Sequence, residues 1–305
     1  MRQLLPAYIA KGYLQAISVV VVLGMLSLRF PPLSVLSSGA IALVALRKGP
    51  KEAGSVLLGS AVAMGILAQV TIGAFQVAAV YALLLWFPVL LLATALRASR
   101  NLALVIEAAV ILGGLAVVAV YTFMANPAES WFAHMDTTLA PLLKTGPLVV
   151  KAESVMENVE LISRYMTGIV VSGSVATLVL SLFLGRWWQS ILYYPGGFRE
   201  EYLELRMRKG IGYLCLLVVA VAFFATSVVE ELAWNLSALF AVLYLIVGTA
   251  IMHTVLSKTK ASRFWLAGFY LVLLFIPQIA IPVVLFGFTD SWLDWRGKLV
   301  RRSAN

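Results

Sequence analysis

The chain has 305 residues, of which 62% are hydrophobic and 12% charged, with a mean hydropathy of +0.95. Soluble domains run near half apolar and a quarter charged, so this composition excludes a soluble fold whose helices carry polar faces. The net charge of +9 arises from 23 basic and 14 acidic residues; in so apolar a chain it reads as charge gathered in loops on one side of a membrane, not as a nucleic-acid surface.

Apolar runs of about 18–25 residues recur from end to end, each long enough to cross about 30 Å of hydrocarbon. The first covers 12–29. It has a basic start but no small-residue cleavage site, and more runs follow, so it reads as a retained helix and not as a signal peptide. The second, 33–46, is short and lies between Pro31-Pro32 and the break Arg47-Lys48-Gly49-Pro50-Lys51. The third covers 53–72, the fourth 76–96 up to Arg97 and Arg100, and the fifth 102–125 up to Asn126-Pro127.

A non-spanning, mildly acidic segment follows over 126–165. Within it Ala152, Val155, Met156, Val159 and Ile162 recur at helical spacing, with Glu153, Glu157 and Glu160 on other faces. The pattern predicts an amphipathic helix that lies on the outer surface or covers a cavity. The remaining runs are 166–185, 210–228, 235–257 and 265–288. The chain is therefore expected to be all-α: one integral domain over 1–305, a polytopic transmembrane helical bundle of eight or nine spans with an outer amphipathic helix between spans five and six.

Orientation follows from lysine and arginine. With the N-terminus in the cytoplasm, 15 of the 23 basic residues fall in inside loops. Four (Arg29, Lys144, Lys151 and Arg164) fall outside, and four (Arg296, Lys298, Arg301 and Arg302) fall in the tail after Thr289. Nine simple crossings would leave that tail outside. Either the rule loses to the earlier helices, or the last span, which contains "IPQIAIP", breaks at its prolines and is not a simple crossing. The first is preferred.

The stretch "GRWWQSILYYPGGFREEY" interrupts this hydrocarbon pattern. Trp187, Trp188, Tyr193 and Tyr194 suit the headgroup layer, with Arg186 reaching lipid phosphate. Pro195, Gly196 and Gly197 make a turn, and "FREEYLELRMRKG" reads as a short helix with glutamates first and basic residues last. Over 186–209 this gives a cytoplasmic elbow and helix. It is an anchored loop or, on the sharper reading, a docking surface for a cytoplasmic or membrane protein partner at Pro195, Gly196, Gly197, Phe198, Arg199 and Glu200.

"PPLSVLSSGAIALVALRKGPKEA", "RYMTGIVVSGSVATLVLSLFLGRWWQSILYYPGGFREE" and "DSWLDWRGK" resemble the YybS-like family of predicted bacterial membrane proteins, in its proteobacterial branch. The resemblance covers most of the chain, and the elbow is its most specific part. It implies a domain of unknown function in a bacterial cytoplasmic membrane. It also implies a remote similarity to the substrate-binding subunits of energy-coupling-factor vitamin transporters. Those subunits have six spans and dock their partner through small residues on an early helix. No substrate pocket carries over residue by residue.

Glu107 is the one acidic residue placed inside a predicted span. A carboxylate at that depth is costly, so it either serves a proton, cation or substrate amine or is paired with a neighbouring helix. Gln69 and Gln278 are amides in apolar surroundings that could read a ligand or bridge helices. Ser55, Gly59 and Ala63 recur every four residues, a spacing that lets helices touch, for internal packing or for docking a partner. His253 reads as an interfacial hydrogen-bonder, and His134 has no metal-spaced partner. A lone Cys215 allows no internal disulfide.

The chain carries no Walker loop, no HExxH and no serine–histidine pair with a defensible geometry. No enzyme, cofactor, metal or nucleic acid is expected. Two function readings stand. One is a small-molecule-binding or transport subunit with its ligand near Glu107, Gln69 and Gln278. The other is a non-transporting assembly or scaffold protein of the cell envelope.

Overall fold

The apolar runs become helices because a backbone in hydrocarbon must satisfy its own hydrogen bonds. The structure, a computed structural model, describes residues 3–145, 152–256, 262–293 and 295. Lys151, Lys258, Lys260, Arg296, Lys298, Arg301 and Arg302 lie outside that set, as do the side chains of Lys144, Ala152, Glu153 and Arg263.

A short α1 (Leu4–Lys11) leads into α2 (Tyr13–Ser27) and α3 (Leu33–Arg47). α4 covers Pro50–Ile72; α5 (Gln76–Tyr81) and α6 (Phe87–Ser99) are joined by one wide π-turn over Ala82–Trp86. That turn sits directly before Pro88, whose ring has no N–H to give and would clash with the carbonyl four residues back; widening the helix there relieves the clash. α7 is Leu102–Phe123, capped by the Asn101 side chain, which accepts from the Leu104 N–H at 3.0 Å.

α8 (Pro127–Thr145) and α9 (Ala152–Ser163) cover one end of the bundle. The core then continues through α10 (Met166–Tyr193), the elbow helix α11 (Gly197–Leu203), α12 (Lys209–Phe224) and α13 (Ser227–Leu256). α14 (Ser262–Phe275) and α15 (Ala280–Leu293) close the described chain. Among the described residues the regular structure is helical throughout.

These helices are not nine equivalent crossings. Among the described residues five stretches are long and apolar enough to span: Pro50–Ile72, Gln76–Ser99, Leu102–Phe123, Met166–Tyr193 and Ser227–Leu256. Three shorter apolar helices, α2, α3 and α12, accompany them. The last predicted span, 265–288, is not the simple crossing preferred from the sequence: its two halves are bent by 112° at a break before Pro277. Pro277 and Pro282 both lack the N–H that a continuous helix would use, so the ladder breaks between them and α14.

The centre of the molecule is α3. Ten consecutive residues, Ser37–Leu46, are buried on every face by α2, α4, α6 and α10. An all-round apolar helix is the kind that can be enclosed this way. Its last carbonyls cannot be left dry. Arg97 Nη1 donates to the carbonyls of Ala45 and Leu46 at 3.3 Å each, and Gln189 Nε2 donates to Leu46 O at 3.3 Å. Arg47 Nη1 donates to Ala10 O at 2.6 Å and lies over the Tyr193 ring. These contacts gather the ends of α1, α3, α6 and α10 into one strongly basic end of the bundle.

Three helix crossings run backbone to backbone; at α10–α13 a Cβ on Gly168 would lie 2.6 Å from Asn235 O. At α3–α10, a Cβ on Gly185 would lie 2.6 Å from Ala42 Cβ. At α13–α15, a Cβ on Gly248 would strike Val283 O, and one on Gly287 would strike Tyr244 O. Small residues allow this approach where lipid offers no hydrophobic push between helices.

Candidate functional site

Glu107 is 1% exposed, and both of its carboxylate oxygens are engaged. One of its carboxylate oxygens accepts the Arg208 backbone N–H at 2.8 Å. The other receives the Arg208 guanidinium through Nε and Nη2. The carboxylate raises the Arg208 pKa above its ordinary value, first by hydrogen bonding and then by charge. Glu107 thus clamps the start of α12 onto α7. Gln69 is exposed at the end of α4, where its Oε1 accepts the Phe75 N–H at 3.2 Å and closes the turn into α5. Gln278 is exposed in the short 3-10 turn between α14 and α15. The three residues sit on three separate features, so the common polar site expected of them is not formed.

The elbow begins later than the sequence suggests. α10 runs on through "GRWWQSILY" to Tyr193. Trp188, expected among headgroups, is 4% exposed and packs in the core. Arg186, expected to reach lipid phosphate, forms an ion pair with Glu201 and donates to Gln189 Oε1 at 2.9 Å. Trp187, Tyr193 and Tyr194 do lie exposed. Gly196 takes a left-handed φ of +96° in the turn.

The expected helix over "FREEYLELRMRKG" covers only Gly197–Leu203. Beyond it the chain leaves the helix and alternates buried Leu205 and Met207 with exposed Arg206 and Arg208. The alternation L-R-M-R is a period-2 signal, visible in the sequence and outweighed there by the charge gradient. Phe198 and Tyr202 face the bundle, with ring centroids 5.6 Å from Phe183 on α10 in each case. On α4, Ser55 is exposed, while Gly59 receives the Ile17 side chain of α2 and Ala63 packs on the core.

What the elbow builds is the mouth of a cleft. A cavity of about 1100 Å³ lies between α3, α10, α11, α13 and α14. Its walls are apolar: Leu180 and Leu184 on α10, Leu245 and Ile246 on α13, Val35 on α3 and Leu273 on α14. From Ala176 to Ile191 the α10 wall is about 22 Å long at 1.5 Å per residue. The mouth at the basic end is polar and aromatic. Tyr202 OH and Thr249 Oγ1 lie 2.8 Å apart, and His253 Nε2 and Tyr270 OH 2.7 Å apart. Arg199, Trp187 and Ser190 complete the rim.

Sequence reasoning missed Asn235, which fell on the boundary drawn for span eight. It is 1% exposed. Its Nδ2 donates to Tyr121 OH at 3.0 Å, Arg164 O at 2.7 Å and Glu231 O at 2.8 Å, and its Oδ1 accepts the Gly168 N–H. Tyr121 OH in turn donates to Glu231. One side chain thereby joins α7, α10 and α13 at the end opposite the basic loops. Glu230 and Glu231, in the first turn of a helix that starts at Ser227, were the available signal.

In the outer segment the expected amphipathic helix is α9, and a second helix that the sequence reading did not place, α8, packs against it. α8 was legible in Asn126, whose Oδ1 accepts the Glu129 N–H at 3.2 Å and whose Nδ2 donates to Glu129 Oε2 at 3.1 Å. On α9, Val159 is buried as the pattern predicts, whereas Ile162 is 46% exposed.

Stacked apolar helices long enough to span, broken and bent segments, a basic end and an apolar cleft define a polytopic helical membrane protein. The family model described as "Predicted membrane protein (DUF2232)" matches residues 18–291, and the chain belongs to that family. No curated protein and no solved structure matches the chain.

Proposed function

We propose that the protein binds an amphiphilic small molecule in the α3–α10–α13–α14 cleft, with the apolar part along α10 and α13 and the polar part at the elbow. The observation that carries this reading is the cleft's two-part chemistry: apolar walls over about 22 Å and a polar, aromatic rim at the basic end. At about 1100 Å³ it lies just above the roughly 300–1,000 Å³ usual for small-molecule sites. The reading moves the ligand away from Glu107, whose oxygens are taken by Arg208.

It involves no enzymatic step. The chain has no phosphate-binding loop, so a transport role, in the manner of the energy-coupling-factor subunits it resembles, would draw on a partner ATPase or an ion gradient. We place the basic end and the N-terminus in the cytoplasm of a bacterial inner membrane, on the strength of 15 inside basic residues against four outside. The alternative, an assembly protein that docks partners through the elbow, has the exposed Glu200 and Glu204 on its side.

The test is organic extraction of detergent-purified protein followed by mass spectrometry. An amphiphile near one per chain is expected from the wild type. It should be lost from the cleft-filling double variant Ala176→Phe/Leu180→Trp, both of whose sites lie at least partly exposed on α10, at an unchanged melting temperature. Equal extracts from both proteins would sink the proposal.

A further inference from the structure

The cleft is open sideways. Leu180 in its wall is 49% exposed, and α14, which forms its far edge, touches the bundle mainly along α13. An opening of this kind faces hydrocarbon, so an occupant enters from the bilayer. The wall length of about 22 Å also exceeds the roughly 15 Å of one leaflet, half of a 30 Å core. A full acyl chain fits it; a compact solute would leave most of it empty.

The charge at the mouth then selects the head. Among the described residues that line the cleft, Arg199 is the only permanent charge and none is acidic. Two other basic side chains described at this end are engaged elsewhere: Arg186 with Glu201, and Arg208 with Glu107. The Tyr202 and Tyr270 hydroxyls and the Trp187 indole ring the same opening. A phosphodiester oxygen is the partner a guanidinium holds best, through two parallel N–H donors. A zwitterionic head would bring its ammonium beside Arg199 with no carboxylate of the rim to receive it.

We propose that the ligand of the cleft is a monoanionic phospholipid from the leaflet at the basic end, its phosphodiester on Arg199 and one acyl chain along α10. This rests on the amphiphile-binding reading above and narrows it to one lipid class.

The experiment is native mass spectrometry of delipidated full-length protein in detergent, titrated with phosphatidylglycerol or phosphatidylcholine of identical acyl chains. Phosphatidylglycerol is expected to bind about tenfold more tightly, as one charge-assisted bidentate contact allows. Arg199→Gln should bring the two lipids to the same affinity, while Ala176→Phe/Leu180→Trp should lose both. Equal binding of the two lipids by the wild type, still abolished by filling the cleft, overturns the anionic assignment and keeps the cleft as a site. Binding that cleft filling leaves unchanged overturns both. Arg199→Lys separates charge from geometry: retained preference with weaker affinity supports the guanidinium contact, and an unchanged titration argues against it.

Discussion

The Glu107–Arg208 pair is asymmetric, and the asymmetry can be measured. Glu107 is 1% exposed, whereas the Arg208 side chain is 68% exposed. Losing the exposed partner leaves a carboxylate buried with only the Arg208-position backbone N–H; losing the buried charge leaves an arginine that water can solvate. Arg208→Ala should therefore lower the melting temperature in detergent more than Glu107→Gln does. The reverse order would mean that the carboxylate serves something other than this clamp. Asn235 makes a second residue-scale case. Asn235→Leu strands the Gly168 N–H and the Arg164 carbonyl in a dry crossing, and buried amide bonds in membrane bundles contribute modestly each, so the loss should be about 2–3 kcal/mol. Thermal denaturation that moves by less than a degree would show that the knot is replaceable.

Among elements, the α13–α15 crossing depends on two glycines that leave no room for a side chain. Gly287→Leu should push α15 off Tyr244 and expose the chain beyond α13 to limited proteolysis, with α3 and α10 unaffected. Uniform destabilisation of the whole bundle would contradict that locality. The same elements show what the sequence could convey. Apolar runs located the helices, because a 20-residue hydrocarbon stretch has few other uses. What stayed hidden depends on neighbours. The length of α10 could not be read because Trp187, Trp188, Arg186 and Gln189 look interfacial until α3 and α11 supply Leu46 O and Glu201 to bind them. The cleft was illegible for a similar reason: its mouth combines Arg199, Thr249 and Tyr270 from three helices, and no spacing within one helix announces it. The bend before Pro277 was legible as an alternative, and tertiary packing of α15 on α13 decided it.

For the whole molecule, the basic end and the packed pair α8 and α9 belong on opposite sides of the membrane in our reading. Cys215 is buried, so the wild type should stay dark to a membrane-impermeant maleimide and introduced cysteines become the reporters. Ser154→Cys should label in intact spheroplasts and Glu200→Cys only after permeabilisation; the opposite pattern would invert the molecule. The central placement of α3 has a further consequence, for how the protein is made. The carbonyl of Leu46 accepts from Arg97, 51 residues later in the chain, and its second donor, Gln189, comes 143 residues later. At about 5–20 residues per second of synthesis, that partner emerges roughly 7–30 s after α3 does. For that interval α3, a helix of only 15 residues, can pack on α2, α4 and α6 but lacks α10, so the face it turns to α10 must be sheltered by the insertion machinery or by lipid. The packing of the first third of the chain is completed only when the second third has been translated.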